Sequence, residues 1–87
     1  MRHARDEDLD RIEPLLVKIR ALGTLIERKR GSFYLRSRAF LHFHEDPAGM
    51  FADLRDGEDF ARHRVRSSRE QREFLRALRG ALDELAE

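Results

Sequence analysis

The fold is decided by one stretch of the chain, Ala39-Phe40-Leu41-His42-Phe43-His44-Glu45-Asp46-Pro47-Ala48-Gly49-Met50-Phe51-Ala52-Asp53-Leu54-Arg55. Apolar residues recur at every second position on both sides of its centre, and a period of two predicts β-strands. The centre itself, Asp46 to Gly49, combines aspartate, proline and glycine, which are typical of a tight turn. The stretch therefore predicts an antiparallel hairpin.

Two more strands flank this hairpin. Ser32 to Arg36 precedes it and Phe60 to Val65 follows it, with the polar turn Asp56-Gly57-Glu58 before the last strand. Connections this short join antiparallel neighbours, because a parallel pair needs a crossover of a dozen or more residues. We therefore predict an antiparallel meander of about four strands within residues 31–66.

An amphipathic helix is predicted before the strands. Apolar residues spaced three and four apart indicate a single apolar stripe on a helix at about residues 9–22. Asp10 and Glu13 are expected to form a capping pair at its start. The sequence leaves its end open: Gly23 is a helix stop, but the pattern also allows continuation to Arg30.

A second amphipathic helix is predicted after the strands, at about residues 68–86. Ser67 and Ser68 precede Glu70 and Gln71, so two overlapping capping boxes mark its start. The apolar residues that follow occupy an arc of about 120°, which indicates one stripe facing a core.

Two apolar helix stripes and one sheet face can enclose a single core if both helices lie on the same side of the sheet. We therefore predict one α+β domain over residues 1–87, a two-layer sandwich whose other sheet face meets solvent. A chain of 87 residues suits one domain and is too short for two.

The composition excludes several classes of protein. The chain has no cysteine, which excludes a disulfide scaffold, a zinc–thiolate site and a thiol nucleophile. Seventeen acids and eighteen bases leave a net charge of +1, which gives no reason to expect nucleic acid or a membrane as partner. No apolar run approaches the roughly 20 residues that cross a bilayer, and the polar residues 1–8 do not form a signal peptide. We expect a cytoplasmic protein.

The alternation also predicts which side chains lie on the open face of the sheet. We expect a binding surface of cationic, aromatic, imidazole and carboxylate groups there, made of Tyr34, Arg36, His42, His44, Asp53, Arg62 and Arg64. Phe40, Phe51 and Phe60 are expected to face outward as well. Exposed aromatic side chains mark protein-binding surfaces, so a second copy of the chain or another protein is the expected partner. The alternative is an ordinary solvated sheet face.

A metal site is one alternative function. His42 and His44 are two residues apart on a predicted strand, so both imidazoles lie on the same side of the sheet. Asp53 on the neighbouring strand, or else His63, is expected to complete a set of three ligands of the kind found in zinc and non-haem iron sites.

Nucleic-acid binding is a second alternative. The segment Arg62-His63-Arg64-Val65-Arg66 and the arginines of the second helix are basic, and residues 60–79 hold seven arginines and two glutamates. Residues 45–59 hold six acids and one arginine, and they lie beside the basic segment in the meander. Ion pairing within the domain or across a dimer explains this segregation, so nucleic acid is not the favoured partner.

No motif indicates catalysis. The sequence has no GxSxG, GxGxxG, GxxxxGKS or HExxH motif, and two of its four serines are explained as helix caps. We therefore predict a small cytoplasmic binding or interaction domain that has no catalysis of its own and no cofactor. A metal-dependent activity and nucleic-acid binding are the alternatives.

One local stretch resembles a known family. The run Arg28-Lys29-Arg30-Gly31-Ser32-Phe33-Tyr34-Leu35, followed by Arg38-Ala39-Phe40-Leu41, is similar to small bacterial proteins of the YjbR type. The resemblance implies a CyaY-like (frataxin-like) fold, with a helix, an antiparallel sheet and a closing helix. It implies the fold rather than a function, since no residue match carries over the DNA binding suggested for YjbR-type proteins.

Overall fold

The chain folds into an antiparallel sheet with helices before and after most of its strands, which confirms the predicted α+β class. The computed structural model describes residues 2–86. The elements are β1 (Arg2–His3), α1 (Asp6–Asp10), α2 (Glu13–Ala21), β2 (Ile26–Lys29), β3 (Ser32–Leu35), β4 (Arg38–Asp46), β5 (Gly49–Asp56), β6 (Asp59–Arg64) and α3 (Ser68–Ala86).

Five strands lie side by side in the order β2-β3-β4-β5-β6, and the sixth, β1, pairs with β4. All pairs are antiparallel. Because β5 occupies one edge of β4, strands β3 and β1 share the other edge at different heights. β3 pairs with residues 38–41 and β1 with residues 44–45. A gap, which we call the notch, is therefore left between β1 and β3 beside His42 and Phe43.

The three helices cover one face of the sheet. Leu41 pairs with Leu54 and Phe43 with Ala52, so these side chains share that face. They belong to one buried core together with apolar residues of the helices and their connections: Leu9, Ile12, Leu15, Leu16, Ile19, Phe74, Leu75 and Leu78. The opposite face, here called the outer face, has no helix on it among the described residues.

The structure has two short helices where the sequence predicted one at about residues 9–22, so this prediction is wrong. α1 ends at Asp10, and α2 begins at Glu13 with Pro14 in its first turn. Proline has no amide hydrogen to donate to the carbonyl of Asp10, and its ring crowds that carbonyl, so one continuous helix cannot pass through it. Asp10 accordingly belongs to α1, and Ile12 takes the N-cap position of α2.

The end of α2 answers the question that the sequence left open. Gly23 has a φ of 73°, a left-handed conformation that commonly ends a helix, so the helix does not continue to Arg30. Ile26 extends the apolar row of α2 in the sequence, but it lies on β2 and is 61% exposed. Strands β1 and β2 therefore lie outside the predicted range of residues 31–66.

The hairpin turns form in two different ways. At Asp46–Gly49 the Asp46 carboxylate accepts a hydrogen bond of 2.7 Å from the amide of Ala48, as expected from its turn residues. Between β3 and β4 the turn has no such residues. Arg36 and Ser37 nevertheless both adopt positive φ, 52° and 71°, as the two central residues of a type I′ hairpin turn do.

α3 lies at the predicted position and starts with one of the two predicted capping boxes. The amide of Glu70 donates to Ser67 Oγ at 3.1 Å, and the amide of Ser67 donates to Glu70 Oε1 at 3.0 Å. This reciprocal pair satisfies two amides that the first turn leaves without helical partners.

Candidate metal centre

Three of the four histidines converge on the outer face. His42 and His44 face outward from β4, and β1 places His3 directly opposite His44. The ring centroids of His3 and His44 are 4.5 Å apart, and those of His42 and His44 are 5.1 Å apart. One ring nitrogen from each residue lies within 4.8 Å of the other two. We call His3, His42 and His44 the histidine cluster.

The cluster is somewhat wider than a tetrahedral metal site with one open position. Zn–N bonds of about 2.0–2.1 Å place the ligand nitrogens of such a site about 3.4 Å apart. The nitrogens here lie within 4.8 Å of one another, so the rings must approach by up to about 1.4 Å to bind one Zn²⁺ ion. His3 is exposed and can turn toward the other two. Three imidazoles leave the fourth position for water or another ligand.

Burial favours the neutral form of the two strand histidines. Burial lowers the pKa of both His42 and His44, and it outweighs the nearby charge of Asp53, which acts in the opposite direction. Their Nδ1 atoms are buried and have no aligned hydrogen-bond partner among the described residues. Neutral imidazole is the form that binds a metal ion, so burial prepares both rings as ligands.

Asp53 lies beside the cluster and is held by Arg62. It is 5% exposed, and it accepts hydrogen bonds of 2.8 Å from both Nε and Nη2 of Arg62. These two bonds hold the pKa of Asp53 below its usual range, so the carboxylate is ionised. Its Oδ2 is 3.0 Å from Nδ1 of His44 and 4.0 Å from Nδ1 of His42. The closer contact has the length of a hydrogen bond, but the N–H direction is not aligned with it.

This geometry changes the role that the sequence hypothesis gave to Asp53. A carboxylate next to Nδ1 favours the tautomer with hydrogen on Nδ1, which leaves the lone pair on Nε2 for a metal ion. Asp53 therefore suits the orientation of the imidazoles, while His3 takes the place of third ligand.

His3 could not be identified from the sequence pattern. Its strand has two residues and therefore no periodicity, and it forms only by pairing with β4, more than 40 residues further along the chain. The only indication in the sequence was that the chain has two further histidines besides His42 and His44 that could supply a third ligand. The fourth, His63, faces the helices, where its ring centroid is 5.4 Å from that of Phe74.

The predicted binding surface is divided between two regions. His42, His44, Asp53 and Arg62 come together on the outer face, and Arg64 packs nearby with its guanidinium 5.7 Å from the ring centre of Phe51. Tyr34 and Arg36 belong instead to the β3–β4 hairpin. Tyr34 lies under the guanidinium of Arg28, and Arg36 lines a separate cavity with Phe40 and Leu85.

The predicted outward direction of Phe40 is wrong. Phe33 pairs with Leu41 and Tyr34 with Ala39, so Phe40 is the extra residue of a bulge and turns into the core, where it is 3% exposed.

The other two aromatic side chains of the expected partner surface are not equally exposed. Phe51 is on the outer face but only 9% exposed, since the guanidinium groups of Arg62 and Arg64 lie over it. Phe60 is 36% exposed, and its ring lies against that of His42 with the centroids 4.7 Å apart and the planes tilted by 56°. A partner on this face therefore stays a prediction.

The basic residues proposed for nucleic-acid binding do not form one surface. Arg62 and Arg64 lie on the outer face, whereas Arg66 lines a cavity with Arg11 and residues of α2 and α3. The acidic segment is partly neutralised within the domain, as Asp53 pairs with Arg62. Nucleic-acid binding also stays a prediction.

Comparisons with protein-family models, curated proteins and solved structures give no match to this chain. The resemblance to YjbR-type proteins is therefore still a prediction. Within residues 2–86, no helix combines the length and the apolar character needed to cross a membrane.

Proposed function

We propose that the chain is a metal-binding domain that holds a divalent ion of the zinc class at His3, His42 and His44. The observation that carries the proposal is the convergence of three ring nitrogens within 4.8 Å. Imidazole nitrogen suits Zn²⁺, Cu²⁺ and Ni²⁺, whereas Mg²⁺ and Ca²⁺ prefer oxygen ligands. We take Zn²⁺ as the proposed ion.

The surroundings of the cluster support this proposal. Two buried ring nitrogens without aligned partners cost stability, because they are removed from water without an equivalent hydrogen bond. Metal binding at the opposite ring nitrogens would fix the rings and direct their Nδ1–H groups toward Asp53. Carboxylates in this position behind metal-bound histidines orient the rings and strengthen them as ligands.

Titration calorimetry with ZnCl₂ tests the proposal. We expect one saturable site in the wild type. The His44→Gln variant should bind Zn²⁺ about 100-fold more weakly or worse, because it loses one of three ligands and even outer partners contribute 10–100-fold in affinity.

His63→Gln is the matched control, since it makes the same change in the histidine that faces the helices. Its affinity for Zn²⁺ should equal that of the wild type, with folding of both variants checked by circular dichroism. A wild type without a saturable site, or a site that survives His44→Gln unchanged, would rule the proposal out.

A further inference from the structure

The notch between β1 and β3 contains a cavity of about 200 Å³ that reaches the histidine cluster. His3 and His42 form part of its wall, and Lys29 and Ser32 line it from the β2–β3 side. An ion bound by the cluster would therefore have this cavity beside it.

The cavity is lined by cationic and neutral groups, with no carboxylate among its lining residues. Arg30 contributes little free charge, because Asp6, Asp10 and Glu13 all pair with it. Among residues 2–86, Lys29 forms no ion pair. The Ser32 hydroxyl forms no hydrogen bond within the same part of the chain. The lining residues thus include a lysine without an ion pair and a serine hydroxyl without a hydrogen bond, and both groups can bind an anion.

The space limits the size of the anion. Pockets for drug-sized molecules measure about 300–1,000 Å³, so a cavity of about 200 Å³ suits a smaller group. This volume suits a carboxylate or a phosphate group better than a whole nucleotide.

We infer that the metal ion takes a small oxyanion, of carboxylate or phosphate size, at its fourth position, with Lys29 as the second anchor. The inference rests on the proposed function. Imidazole ligands carry no charge, and the nearby carboxylate of Asp53 is already paired with Arg62, so the ion's charge of +2 favours an anion at the fourth position. Lys29 adds a second positive charge on the same side.

The test uses the Co²⁺-loaded protein, since Co²⁺ replaces Zn²⁺ and its visible absorption reports a change of ligand. Sodium acetate and sodium phosphate are titrated separately in a buffer without other coordinating anions. We expect a saturable change in the Co²⁺ spectrum with at least one of them, and the one that binds identifies the oxyanion class. Lys29→Gln should weaken that anion about tenfold, because it removes a charge-assisted contact.

Lys18→Gln is the matched control. Lys18 is the other lysine of the chain, it lies on α2, and its removal should leave anion binding unchanged. A Co²⁺ spectrum that responds to neither anion, or responds equally in Lys29→Gln, overturns the inference and leaves the proposed metal site standing. Failure to bind Co²⁺ at all overturns both.

Discussion

Gly31 is constrained in two independent ways. Its φ is 81°, which disfavours any residue with a β-carbon, and Leu9 occupies the space that a β-carbon would need, at 2.9 Å. Gly57 shares the first constraint, with a φ of 68°, but nothing lies within 4 Å of its β-carbon position. Comparing substitutions at the two glycines therefore distinguishes the cost of backbone strain from the cost of disturbed packing.

Gly31→Ala should destabilise the protein more than Gly57→Ala. The left-handed conformation alone costs about 1 kcal/mol in an alanine, which is the expected loss at position 57. At position 31 the loss should be about 2 kcal/mol, because Leu9 must also move in a packed core. Urea unfolding followed by circular dichroism measures both. Equal losses would show that Leu9 moves without cost.

The β3–β4 hairpin has a turn whose residues do not match its backbone. Both central positions have positive φ, for which asparagine and glycine are strongly preferred, yet the chain has Arg36 and Ser37 there. The double substitution Arg36→Asn with Ser37→Gly should raise the free energy of unfolding by about 1 kcal/mol, because it relieves the strain at both positions. Thermal unfolding followed by circular dichroism measures the change.

The control for the turn is Arg36→Ala with Ser37→Ala. It removes the same polar groups but keeps both β-carbons, so it should not stabilise the protein. If the alanine pair stabilises as much as the asparagine–glycine pair in thermal unfolding, the cause is loss of the arginine charge rather than relief of backbone strain.

Elements with strong local signals were predictable, and elements that depend on distant partners were not. The hairpin at Asp46–Gly49 and the start of α3 follow from turn and capping residues next to them in the chain. Strand β1 and the bulge at Phe40 arise from pairing with other strands, so no neighbouring residue indicates them. The division of the first helix was missed, because the capping pair expected at Asp10 and Glu13 indicated a single helix start and no separate α1 before it.

The distinction between local and distant interactions also explains which parts of the histidine cluster could be predicted. Alternation along β4 and β5 predicted that His42, His44 and Asp53 share a face, because a side-chain period of two depends only on local geometry. The role of Asp53 depends on its two hydrogen bonds from Arg62 on β6, and the third ring comes from β1. The spacing of residues within one strand predicts neither the contact with Arg62 nor the contribution of His3.

At the scale of the whole molecule, hydrogen-bonded carboxylates link the stability of the fold to pH. Five carboxyl groups have lowered pKa values, chiefly because arginine side chains or backbone amides donate hydrogen bonds to them: Asp8, Glu13, Glu27, Asp53 and Glu70. Asp8 is the most buried, at 2% exposed, and accepts from the amide of Arg5 and from the side chain of Arg2.

Asp8→Asn should destabilise the protein at pH 7 and lose its effect in acid. The folded-state pKa of Asp8 is below the unfolded value, so its stabilisation is fully present above about pH 4 and disappears as the pH falls through the folded-state pKa. We expect a difference of about 1–2 kcal/mol from the wild type at pH 7, which shrinks progressively below pH 4. Urea unfolding from pH 7 to pH 3 measures it, and a constant difference would contradict this linkage.

Because β1 contributes His3, binding of the proposed metal ion would also hold this first strand on the sheet. The chain has no cysteine and therefore no disulfide. An ion shared by His3 and His42 would join the first strand to the middle of the sheet and close a loop of about 40 residues, as a disulfide does in small secreted domains. Because such a closure restricts the unfolded chain, the ion would act as a reversible cross-link. The concentration of available metal would then set the stability of the first strand on the sheet.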